Sequence, residues 1–197
     1  MSADGLVNAT QLALAELVPN GARVLDLGCG DGAMLDYLQR TRGCTGYGVE
    51  IDDANVLACV QRGVNVIQLN LDEGLSMFED ASFDVVLQVD TLQNLRNAQV
   101  MLRETVRVGR VGIVAFPNFA HWPNRLSVLK GRMPVTKRLP YQWFDTPNIR
   151  VGTHADLAVL AQRSGLRILD SFGLQDGQVV RWLPNLRSGT SVYQLSR

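Results

Sequence analysis

Nine residues, Val24-Leu25-Asp26-Leu27-Gly28-Cys29-Gly30-Asp31-Gly32, constrain this chain more than any other stretch. They join a short apolar run (23–27), which reads as a buried strand, to a helical pattern (33–40) with Met34, Leu35 and Leu38 on one face. The alternation continues downstream. Strands are expected at 47–50, 64–69, 82–87 and 111–116, with helices at 54–62 and 98–108 between them. A helix over 6–18, stopped by Pro19-Asn20-Gly21, precedes the loop. Another over 155–164, closed by Gly165, leads to strands at 166–172 and 191–195. Strands separated by helices of this length form βαβ units, whose sheet is buried on both faces. The expectation is therefore α/β, with a mostly parallel seven-stranded sheet and helices on both sides.

At 197 residues the chain fits one domain, 1–197. Residues 117–150 break the rhythm with five of the seven prolines, two of the three tryptophans and six basic residues. Trp122, Leu126 and Leu129 lie at helical spacing there, and Gly131 is a natural stop. Disordered linkers are poor in aromatics, so this segment reads as an ordered insertion or lid. No run approaches the roughly 18 apolar residues of a membrane span. The opening residues lack a basic region followed by an apolar run, so no secretory signal is expected. Cys29, Cys44 and Cys59 lack metal-ligand spacing. A cytoplasmic, thiol-reduced protein without a metal site is the simple expectation.

The loop itself points to a ligand. Gly28, Gly30 and Gly32 allow a tight turn and close backbone approach, and the following helix start offers N–H groups. Gly28, Gly30 and Ala33 also satisfy the loose dinucleotide pattern G-x-G-x-x-A. Asp26, however, would repel a pyrophosphate and suits a ligand carrying an ammonium and a sulfonium. Together with Gly32 it fits the D-x-G-x-G-x-G of enzymes that bind S-adenosylmethionine (SAM) or its product S-adenosylhomocysteine. Glu50, ending the second strand, would accept from ribose hydroxyls of either ligand. Asn70, at the third strand's end, either meets adenine or is simply a polar residue ending the strand. The expected cofactor set is Asp26, Leu27, Gly28, Cys29, Gly30, Gly32, Glu50, Ile51, Asn70, Leu71 and Gln88.

Catalytic residues are not legible, because methyl transfer asks mainly for alignment and exclusion of water. Asp90 is either an anchor for an amine or a solvated loop acid. His121 is either a base at the pocket mouth or structural, and Cys29 reads as a packing residue. The sequence Phe116-Pro117-Asn118-Phe119 follows the fifth strand, the wrong place for an amino-methyltransferase signature. Charge is divided along the chain: residues 1–95 carry four arginines against fourteen acids, net −10, and residues 96–197 carry fifteen basic residues against five acids, net +10. Such a split can orient a charged partner, but the basic residues are scattered and no RNA module accompanies them, so nucleic acid is not the expected partner.

The glycine motif, Leu71-Asp72-Glu73-Gly74-Leu75, Thr91-Leu92-Gln93 and the insertion together resemble the methionine biosynthesis protein MetW family. The insertion reads F-P-N-F-A-H-W-P-N-R-L and then G-R-M-P-V-T-K-R-L-P-Y-Q-W-F-D-T-P-N-I. The likeness covers about residues 6–173. It implies a Rossmann-like class I methyltransferase fold acting with the homoserine O-acyltransferase of methionine synthesis, as an activating partner. Methyl transfer to a small molecule, or less readily to RNA, is the alternative. Two departures stand out: Asn70 replaces an Asp usual in the family, and Val89-Asp90 replaces a Ser-Gln type pair.

Overall fold

An apolar run such as 24–27 can be buried only if both faces of its strand are covered. In a computed structural model, which describes residues 7–197, both are. The elements run α1 (Ala9–Ala15), β1 (Arg23–Leu27), α2 (Ala33–Arg42), β2 (Thr45–Glu50), α3 (Asp53–Arg62), β3 (Val66–Gln68), β4 (Phe83–Val89), α4 (Ala98–Val108) and β5 (Gly109–Pro117). They continue with α5 (Trp122–Leu129), α6 (His154–Arg163), β6 (Arg167–Gln175), β7 (Gln178–Val180), α7 (Pro184–Arg187) and β8 (Thr190–Ser196). Leu6, where the sequence pattern begins its first helix, lies outside the described residues, as do the five residues before it. The last turn of that pattern tightens: Leu17 and Val18 donate three residues back, to Leu14 and Ala15, before Pro19.

One sheet holds all the strands in the order β3-β2-β1-β4-β5-β8-β6-β7. Its first five strands are parallel, and β8 runs antiparallel between β5 and β6. The sheet has eight strands where the sequence pattern predicts seven. The extra strand, β7, is the return of a hairpin whose turn is Asp176-Gly177, both with positive φ (49° and 81°). Asp-Gly is the residue pair that such a two-residue turn prefers.

Covering helices divide by the sheet's period of two. Val24, Val85, Leu87 and Ile113 pack against Leu14 of α1, Met34, Leu35 and Leu38 of α2 and Cys59 of α3. On the other face, Leu25, Leu27 and Val86 meet Met101 and Val108 of α4. Val114 and Phe116 meet Leu102 of α4 with Leu157 and Ala161 of α6. Truncating a fully buried leucine such as Leu38 to alanine costs about 2–5 kcal/mol. β1 and β2 are drawn close at Gly46, whose φ is 146° and where any Cβ would sit on the Val24 carbonyl oxygen.

The insertion is closed at its base. Asn118 bridges to Gly152, and the buried Asn118 side chain is a polar hub. Its Nδ2 donates to the Ser188 carbonyl (2.9 Å), and its Oδ1 accepts from the Ala120 (3.2 Å) and His154 (3.1 Å) amides. Phe116-Pro117-Asn118-Phe119 is thus a structural joint. α5 begins at Trp122 and ends before Gly131, matching the spacing of Trp122, Leu126 and Leu129.

Candidate functional site

In a sheet ordered 3-2-1-4-5, the connections leave β1 and β4 in opposite directions, and a crevice opens past their carboxyl ends. A cavity of about 520 Å³ lies there. Its floor is the glycine loop. Gly28 and Cys29 donate to the Val49 carbonyl (2.8 and 3.1 Å), and Gly30 donates to Glu50 Oε2 (2.9 Å), so β2 holds the loop in place. At Gly30 (φ +56°) a Cβ would meet nothing within 4 Å, because that side of the backbone is open. At Gly28, by contrast, a Cβ would strike Thr91 Oγ1, which is hydrogen-bonded to the Leu27 carbonyl (2.9 Å).

Acids surround this floor. Asp26, on β1, is 3% exposed and lines the cavity. Burial, and secondly the charge of Glu50, push its carboxyl up to about 7. Asp31 Oδ1 accepts from the Ala33 amide (3.1 Å) at the start of α2, and its Oδ2 pairs with Arg62 (3.0 Å). A side-chain carboxylate therefore occupies part of the helix N-terminus that the sequence offered to a ligand. Asp90, just past β4, has a φ of 53° and also lines the cavity. It is not a free loop acid: Arg138 Nη2 reaches across from the insertion to both its oxygens (2.8 and 3.1 Å). The donor set suits a cation, with a carboxylate partner at one end only.

The sequence-predicted residues separate into three groups. Asp26, Gly28, Cys29 and Gly30 line the cavity. Leu27, Gly32 and Glu50 support them from behind. Leu27 is core, and Gly32 caps α2 in the left-handed region. Glu50 Oε1 also accepts from the Ile51 and Asp52 amides (2.7 and 3.0 Å). The third group lies apart from the cavity. Ile51 is exposed at the end of β2, and Leu71 is buried in the core. Asn70 Oδ1, the atom expected to meet adenine, accepts from the Asp72 amide (3.1 Å) and caps a single 3-10 turn. Gln88 is fully buried on the sheet face opposite Asp26, and neither of its side-chain polar atoms has a hydrogen-bond partner among the described residues.

Burial also holds the Cys29 and Cys59 thiols protonated, 3.8 Å apart beneath the loop. Both act as packing groups. His121 sits at the N-cap of α5, edge-on to Trp122, with burial lowering its pKa. Contributors the sequence pattern did not signal are Asn8, Thr10 and Gln11 at the start of α1, Asn55 on α3, and Arg138. The first three belong to a helix start whose capping box explains Asn8 and Gln11 locally. Arg138 is 48 residues from Asp90 in sequence, and no local pattern announces such a contact.

The insertion also grips the segment that follows β4. The amides of Ile149 and Arg150 donate to the Gln93 carbonyl (3.1 and 3.0 Å), and Arg150 Nε donates to the Leu95 carbonyl (3.0 Å). Its aromatic side chains meanwhile face solvent: Trp143 is 72% exposed and Phe144 70%. Among the described residues, no helix is long and apolar enough to cross a membrane, and no cluster could hold a metal ion.

Comparison with known proteins agrees with this architecture. A SAM-dependent methyltransferase from Mesorhizobium loti superposes with a TM-score of 0.72 at 18% identity, over 96% of this chain and 98% of that one. The magnesium protoporphyrin IX methyltransferase of Synechocystis, solved with bound S-adenosylhomocysteine, gives 0.62 at 18%, over 95% and 80%. At these identities the likeness is one of fold: a Rossmann-like class I methyltransferase fold. A bifunctional methionine biosynthesis protein MetXA/MetW from Rhodopirellula baltica is 35% identical over 98% of this chain and 33% of its own length. The chain spans about a third of the length of the curated relatives it matches. A family model described as methionine biosynthesis protein MetW matches residues 9–195, glycine loop and insertion included. By that match and that relative, the chain belongs to the MetW family.

Proposed function

We propose that this chain is a SAM-binding accessory protein of methionine biosynthesis, which docks onto homoserine O-acyltransferase and raises its activity. Two features support SAM or S-adenosylhomocysteine as the ligand. The open side of Gly30 admits a ligand against bare backbone, and Asp26 and Asp90 supply negative charge for a sulfonium and an ammonium. When bound, SAM would supply a methyl donor and a nucleoside that keeps the cavity closed to water. Ile51, outside the cavity lining, offers an exposed apolar surface beyond the end of β2 where an adenine ring extending out of the cavity would rest.

The observation that carries the docking half is the exposure of Tyr141, Trp143 and Phe144 on an ordered segment tied to the cavity rim. Aromatic side chains clustered on a surface are a common mark of a protein–protein interface. The Rhodopirellula baltica relative names MetXA and MetW together in one bifunctional chain. By the family likeness, the partner is the acyltransferase. Co-purification with it, and its acyl-transfer rate with and without this chain, test the reading. A stable complex with a raised rate is expected, while no complex and no change in rate would refute it.

A further inference from the structure

The cavity carries three carboxylates among its described lining residues, Asp26, Asp31 and Asp90, and a single cationic side chain, Arg138. Arg138 does not come from the α/β core. It sits in a tight turn of the insertion in which Thr136 and Leu139 donate to each other's carbonyl oxygens (2.9 and 3.1 Å). Its stem lies against Gly189, where an added Cβ would meet Arg138 Cγ at 3.3 Å. A methyl group at 189 would press on that stem, which would have to give by a few tenths of an ångström. The neighbouring Lys137 points elsewhere, towards Asp176 (3.7 Å). The turn thus delivers one guanidinium to the cavity.

That guanidinium is only partly used. Nη2 serves both Asp90 oxygens, while Nε is buried without a hydrogen-bond partner among the described residues. A buried N–H donor left unpaired is destabilising, and a carboxylate is the acceptor that a guanidinium edge fits best. Asp90 on one side and Arg138 on the other form an adjacent negative and positive pair. An α-amino acid end is its complement, with an ammonium for Asp90 and a carboxylate for Arg138.

We infer that Arg138 anchors the α-carboxylate of the ligand, with Asp90 taking the ammonium, so that the insertion itself forms the amino-acid subsite of the cavity. This rests on the reading of the cavity as a SAM site and deepens it. The recognised class is a nucleoside or thioether carrying a free α-amino acid. A nucleoside lacking the carboxylate loses its contact with the insertion and keeps those with the glycine loop.

Calorimetry with SAM and with decarboxylated SAM, which retains the amine, isolates this contact. For the wild type, a preference for SAM of about tenfold or more is expected, the value of one charge-assisted pair. Arg138→Gln should bring the two ligands to within about twofold, with decarboxylated SAM binding nearly as it does to the wild type. Arg138→Lys should recover part of the preference, and Lys137→Gln should keep all of it. Retention of the full preference in Arg138→Gln, or its absence from the wild type while SAM binds, overturns the subsite and leaves the cofactor reading standing. If SAM does not bind the wild type at all, both fall.

Discussion

The glycine loop and the insertion are both irregular backbone at the rim of one cavity, yet they are built in opposite senses. The loop is turned inward. Its amides are spent on the Val49 carbonyl and Glu50, its cysteine is packed on Cys59, and its charge is negative. The insertion is fastened at its base and at the Gln93 carbonyl, and it turns Trp143 and Phe144 out into water. The difference teaches that order and exposure are separate properties. The loop is held by the sheet at the floor of the cavity, and the insertion is held with part of its aromatic surface in water.

The sharpest way to break this contrast is to overfill the scaffold instead of the site. Gly46→Ala places a methyl group on the Val24 carbonyl oxygen and should cost about 3 kcal/mol or more. Thermal unfolding would show a large fall in Tm or no folded protein. Gly30→Val is the counterpart within the loop. The protein has room for it, so only the strain of the left-handed backbone, about 1–2 kcal/mol, should register in stability. The side chain then takes the ligand's space, and SAM affinity should fall about 100-fold or more, equivalent to about 2.7 kcal/mol. A valine variant that binds normally would show that the bare backbone faces no ligand.

The outward face is tested by the double substitution Trp143→Ala and Phe144→Ala. Affinity for the acyltransferase should drop about 30-fold, or about 2 kcal/mol. Stability should stay within about 0.5 kcal/mol, because both rings are exposed. A large loss of Tm with unchanged partner affinity would make these rings part of the core of the insertion.

The smallest expected effect is a pH dependence. Asp26 is raised to about 7, so below that pH it holds its proton and offers a cationic ligand no counter-charge. SAM affinity should therefore weaken as pH falls through 7, by up to about tenfold per unit, and level off above it. Stability of the ligand-free protein runs the other way. A carboxyl raised from 3.8 contributes most at low pH and loses that contribution as pH rises to about 7. Titrations at pH 6, 7 and 8 with flat affinity would remove Asp26 from the ligand's charge partners.

Much of this was legible from local pattern. β1, β2, β4, β5, the face of α2 and the extent of α4 follow from local pattern, because each is a buried element whose neighbours are set by short connections. Asp26, Gly28 and Gly30 were marked by their own chemistry. The return strand β7 went unpredicted: it is only three residues long, too short for a periodicity to register, and its Asp176-Gly177 turn lies outside the predicted elements. Asn70 and Gln88 show the limit. Asn70's amide is turned back to cap its own 3-10 turn, and Gln88's place on the far face is fixed by pairing with Val114.

By itself, then, the sequence determined the alternating α/β sheet, the bare loop after β1 and the acid beside it, since these depend on residues within a turn or two of one another. Only the tertiary structure decided that Arg138 reaches Asp90, that α1 helps wall the cavity, and that the insertion's aromatics face water. Those facts depend on where the chain returns after long excursions, and neither periodicity nor composition carries that information.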